Sequence, residues 1–128
     1  MFGAELAPEA PPEEETRRLC ALAAESRGVS DGHVVIEYVS ASRIAHLNER
    51  HRGKVGPTDV LSFPVDGAEP CPPGAPRELG DVVICPAHTT DLREAIVHGV
   101  LHLLGMDHET DSGEMLALQD ELLRRSEA

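Results

Sequence analysis

Apolar residues recur along this chain at two spacings, and the switches between them mark out the elements. Pro12 followed by Glu13, Glu14 and Glu15 suits the first turn of a helix, where missing donors and negative charge are both tolerated. Leu19, Leu22, Ala23 and Ser26 give that helix an inner face, and Gly28 ends it. His33 to Val39 is rich in Val, Ile and Tyr and predicts a strand. Ser40 can cap a helix with Ile44, Leu47 and Asn48 on one side, closing before Gly53. Gly53, Gly56 and Pro57 mark a loop, and Val60 to Phe63 follows as a short strand stopped by Pro64. Val82, Val83 and Ile84 are apolar without alternation, as in a strand covered on both faces. From Thr89 to Leu104 the spacing is helical, with Leu92, Ile96, Val97, Val100, Leu101, Leu103 and Leu104 forming a broad apolar surface. Gly105 is placed to end that helix in a left-handed conformation. Asp111 and Glu114 then form a capping pair for a last helix that buries Met115, Leu118 and Leu122.

Two stretches lack such patterning. Residues 1–12 are small, acidic and Pro-rich, with little order expected beyond a short strand around Phe2 to Leu6. Residues 66–80 are rich in Pro and Gly and read as a surface loop, since neither flank is large enough to fold alone. The whole of residues 1–128 is therefore expected to be a single domain. With two Phe, one Tyr and no Trp, its core must be built from Leu, Val, Ile and Ala. No apolar run approaches the ~20 residues that span a bilayer, and the start lacks the features of a secretion signal. Cys20, Cys71 and Cys85 are too few and too scattered for a disulfide scaffold. These features exclude a membrane protein and favour a reducing, cytoplasmic setting.

The formal net charge of −12 repels polyanions and disfavours broad nucleic-acid binding. Even so, Arg43, Arg50, Arg52 and Lys54 fall close together. On charge alone they read as a solvated helix face.

The segment from His98 to His108 carries the chemistry. His98 and His102 are four residues apart, so on a helix they share one face about 5–6 Å apart and can grip one metal ion. Gly105 lets the chain turn back so that His108 approaches the same ion. Three imidazoles and an open position describe a catalytic zinc site, whereas structural zinc usually has a fourth protein ligand. His33, His46, His51 and His88 show no such arrangement and read as ordinary histidines. The spacing matches the histidines and glycine of the zinc peptidase pattern H-E-x-x-H-x-x-G-x-x-H, but Gly99 stands where the general base belongs. A carboxylate introduced at Gly99 is expected to sit beside the metal, retain zinc, abolish any phosphodiester cleavage by repelling the phosphate, and bring no peptidase activity.

Four blocks together resemble the YbeY-type endoribonucleases, bacterial rRNA maturation factors. They are Leu47 to Lys54, Pro57 to Pro64, Leu79 to Ile84 and His98 to His108, in the family's order. The resemblance implies an α+β, zincin-like metallohydrolase fold, with a small mixed sheet and the zinc helix lining a cleft. It implies one zinc per chain on His98, His102 and His108, and a functionally important arginine at Arg52. It also implies cleavage of single-stranded RNA, a role in forming the 3′ end of 16S rRNA and in ribosome quality control, and the ribosome or its small subunit as partner. DNA is not an expected substrate. Thr58, Asp59 and Ser62 match the family's motif, with a structural role at least as well supported. Asp107 and Asp59 are candidate general bases, each read more readily as structural. The segment between Ile84 and His98 is shorter than in the family, and the N-terminal strand is weak. Two other functions stay open: a non-catalytic ribosome-assembly factor stabilised by zinc, and a metallohydrolase of another class.

Overall fold

The structure is a computed structural model that describes residues 3–29, 32–66 and 77–127. Glu13–Ser26 form helix α1, His33–Tyr38 strand β1, Ala41–Arg52 helix α2 and Val60–Pro64 strand β2. Glu78–Ile84 form strand β3, Leu92–Leu103 helix α3 and Glu114–Glu127 helix α4. β3 is the centre of a mixed three-stranded sheet, parallel to β1 and antiparallel to β2. This is the α+β architecture with a small mixed sheet that the resemblance implies.

The sheet separates two apolar clusters. On one face Ile36, Val82 and Ile84 pack with Leu19 and Ala23 of α1, with Ile96, Val97, Val100 and Leu101 of α3, and with Met115 and Leu122 of α4. On the other, Leu61, Val83 and Cys85 pack against Ile44 of α2 and Val39. That two-sided cover explains the unbroken apolar run in β3, whose Val82, Val83 and Ile84 are at most 4% exposed. At the start of α3, Arg93 joins three helices, pairing with Glu15 at 2.8 Å and with Glu127 at 3.2 Å.

The helix boundaries follow their caps. Ser40 accepts from the Arg43 amide at 3.2 Å. The Asp91 carboxylate accepts from the Arg93 and Glu94 amides at 3.0 and 3.2 Å, so α3 begins at Leu92 rather than Thr89. Asp111 accepts from the Met115 amide at 2.9 Å, and Glu114 from the Ser112 amide at 2.6 Å. In α4 the inward positions are Met115, Gln119 and Leu122, while Leu118 is half-buried.

The expected N-terminal strand is absent from the described part of that segment. Ala4–Leu6 form a 3-10 turn closed by the Leu6 amide donating to Gly3 at 2.9 Å, so the backbone bonds are local rather than to a sheet neighbour. Ala7 beyond it is buried in the core, and Met1 and Phe2 lie outside the described residues. The loop expected over residues 66–80 is shorter at its far end, because Glu78, Leu79 and Gly80 belong to β3. Backbone bonds from Val65 to Leu79 and from Asp66 to Glu78, at 3.1 and 2.7 Å, extend the ladder past Pro64. Residues 67–76, including Cys71, lie outside the described residues.

Candidate metal centre and cleft

The last turns of α3 project His98 and His102 side by side, with ring centroids 4.7 Å apart. The helix then ends in two paired bonds: the Gly105 amide donates to His102 at 3.0 Å and the Met106 amide to Leu101 at 3.1 Å. This Schellman closure requires a left-handed residue, and Gly105 has φ +92. The next turn is held by Asp107, whose carboxylate accepts from the Glu109 amide at 2.9 Å. Its carbonyl accepts from the Asp111 amide at 3.1 Å. The chain is thereby folded back, and the His108 ring lies 5.0 Å from that of His98 and 5.5 Å from that of His102.

One nitrogen from each of the three rings lies within 4.8 Å of the others, so His98, His102 and His108 could hold a metal ion. No cysteine or carboxylate joins this group among the described residues, which suits a centre with open coordination positions. The donor chemistry fits as well. His98 Nδ1 lies 2.7 Å from Oε1 of Gln119, a buried residue of α4. Because the amide oxygen only accepts, Nδ1 carries the proton and Nε2 keeps its lone pair for a metal. The pKa of His102 is lowered, first by burial and then by the neighbouring His98 and His108. Both effects favour the neutral imidazole that binds metal.

Gly99 has a structural reason to lack a side chain. A Cβ there would stand 2.4 Å from Cγ1 of Val82, so α3 lies too close to β3 to admit one. The Gly99 carbonyl also accepts from the Ser62 hydroxyl at 2.9 Å, tying α3 to β2. A carboxylate at this position thus faces the sheet, and the expectation that Gly99→Glu would place one beside the metal is corrected.

The triad opens on a cleft of about 960 Å³. The cleft is also lined by His51, Arg52 and Lys54 from the end of α2 and beyond, and by residues of the edge strand β2. Arg52 is exposed, lies just before the left-handed cap at Gly53, and has no ion-pair partner among the described residues. Arg43 and Arg50 are exposed and lie outside the cleft lining. Asp59 orders the entry to β2, its carboxylate accepting from the Val60 amide at 2.8 Å and the Thr58 hydroxyl at 3.3 Å. Of the histidines read as ordinary, His33 pairs with Glu78 at 3.0 Å. His51 departs from that reading, because it lines the cleft with its ring edge-on to Phe63 at 5.0 Å. Neither Gln119 nor His51 carries a sequence signal, since each partner comes from a different element.

The family model described as Endoribonuclease YbeY matches residues 6–127. The protein named Endoribonuclease YbeY of Acidothermus cellulolyticus is 44% identical over 106 residues, covering 66% of this chain and 65% of that protein. The chain thus spans just under two thirds of that relative's length. The protein of the same name from Rubrobacter xylanophilus is 40% identical over 127 residues, covering 94% of this chain and 86% of its own. A Thermotoga maritima protein solved in solution shares the fold, with a TM-score of 0.56 at 24% identity over 98% of this chain and 89% of that one. The family match across nearly the whole sequence, joined to relatives at this level of identity, shows that the chain belongs to the YbeY family of endoribonucleases.

Proposed function

We propose that this protein is a zinc-dependent endoribonuclease that cuts single-stranded RNA, with ribosomal RNA and the small ribosomal subunit as its setting in the cytoplasm. The observation that carries the reading is the sharing of one cleft by three imidazoles and an arginine that has no carboxylate partner among the described residues. The names of the relatives support the substrate class. His98, His102 and His108 would hold one zinc, which when bound would supply positive charge toward a phosphate and acidify water.

The chain's own groups account for the remaining work. Gln119 holds the proton on His98 Nδ1 and so leaves Nε2 with the lone pair that a metal would need. Arg52 offers a planar fork to two oxygens of one phosphate and stabilises the charge that builds there during cleavage. The carboxylates of Asp59 and Asp107 each hold a backbone amide, which gives them a structural part beside the site. Packing of Gly99 against Val82 weighs against a peptidase, because the position of that class's general base is closed.

Arg52→Ala is expected to lower cleavage of single-stranded RNA by about a hundredfold or more, the scale of losing one charge-stabilising group. Metal content and melting temperature should stay at the level of the unaltered protein, since Arg52 is exposed. His102→Ala should lose most of its bound zinc. Full cleavage by Arg52→Ala, or full metal content in His102→Ala, would overturn the assignment.

A further inference from the structure

The His51–Phe63 pair is an odd use of aromatic rings in a chain that has so few. Phe63 is one of two Phe residues, and there is no Trp. It is only half-buried: one side packs against the cluster of Leu61, Val83 and Ile44, and it lines the cleft with His51. The His51 ring meets it edge-on, with centroids 5.0 Å apart and planes at 72°. That arrangement suits the ring quadrupoles and fixes a long-lever side chain at the end of a helix. His51 is itself exposed, and its ring has no hydrogen-bond or ion-pair partner among the described residues. Directly beside it in sequence stands Arg52, on the same cleft.

We propose that His51 and Phe63 form a nucleobase-stacking site, where an unpaired base of the RNA rests while its phosphate meets Arg52. This deepens the proposed function and rests on it. Any base has a π-face, so such a site binds without reading sequence. It does require that the base be free of its neighbours. In a duplex both faces are covered by adjacent pairs, and the stacking surface is unavailable. The pair therefore supplies a physical basis for preferring single strands that neither a metal nor an arginine provides, since both act on phosphates common to single and double strands.

The test is binding of two ligands of equal charge, so that any charge on the protein acts on both alike. Two labelled ligands are compared by fluorescence anisotropy in chelator, so that nothing is cleaved. One is a ten-nucleotide oligouridylate, and the other is an abasic tetrahydrofuran-phosphate decamer of the same charge. His51→Ala should weaken the oligouridylate roughly fivefold or more and leave the abasic decamer within twofold. His51→Tyr should restore binding, and His51→Leu, which keeps bulk without a ring, should not. Phe63→Leu keeps an apolar side chain on the cluster of Leu61, Val83 and Ile44 but removes the ring, and should behave like His51→Ala toward both decamers. Equal weakening of both decamers by His51→Ala, or none of either, overturns the stacking site. Cleavage of RNA by a protein indifferent to His51 would end this proposal and leave the endoribonuclease reading standing. Failure of the unaltered protein to bind the oligouridylate more tightly than the abasic decamer would also overturn the stacking site, whereas the endoribonuclease reading stands or falls on cleavage with zinc present.

Discussion

A buried amide beside a metal-ligating imidazole does more than fill space. Gln119 is 4% exposed, and its oxygen lies 2.7 Å from His98 Nδ1. Without that acceptor the ring is free to rotate or to place its proton on Nε2, and either change withdraws a donor from the triad. Outer partners of this kind are worth about 10–100-fold in metal affinity. Gln119→Leu, which keeps the volume and removes the acceptor, is expected to weaken zinc binding by that factor in competition with a chromophoric chelator. Gln119→Glu, which keeps an acceptor, should bind zinc at least as tightly as the unaltered protein. Unchanged affinity in Gln119→Leu would show that His98 is oriented by packing alone.

At the scale of elements, the contact between α3 and the sheet decides where the triad stands. Gly99 admits the close approach, Ser62 bonds its carbonyl, and Gly105 releases the chain toward His108. Overpacking such a contact costs about 1–3 kcal/mol. Gly99→Ala should therefore lower the urea midpoint by a matching amount, without a change in slope, and an unaltered midpoint would contradict the contact. Much of this was legible beforehand. Four-residue spacing puts His98 and His102 on one face of any helix, and a glycine after Leu104 has a known use at a helix end. The rest depends on distances between elements, which spacing along the chain does not encode. Gln119 is 21 residues from His98, and His51 meets Phe63 across the gap between α2 and β2. Gly99 reads as a missing base in one dimension and as a packing contact in three. In the described part of the strand expected over Phe2 to Leu6, the Leu6 amide donates locally to Gly3 in a 3-10 turn rather than to a sheet neighbour, a choice that composition does not encode.

Across the whole molecule, the half-buried triad makes stability depend on pH. The pKa of His102 is lowered in the folded state, so below the ordinary histidine value of about 6.5 the unfolded chain binds the extra proton first. Stability from this source is complete above that value and drains away as pH falls toward the folded one. The urea midpoint of the metal-free protein should thus be lower at pH 5.5 than at pH 7.5, and His102→Gln should flatten the difference. Equal midpoints at the two pH values in the unaltered protein would contradict it. Charge distribution has a different consequence. A net charge of −12 surrounds one cleft that carries Arg52 and Lys54 at its rim. A polyanion approaching from most directions is turned away, and only encounters at the rim lead to a complex. Among the described residues, the cleft lining offers only Arg52 and Lys54 as Arg or Lys side chains, too few to let the protein slide along the proposed substrate from one phosphate to the next. If the proposed function holds, each cut is expected to end in departure, so that a long strand with several cleavable sites is worked on distributively, one separate visit per cut.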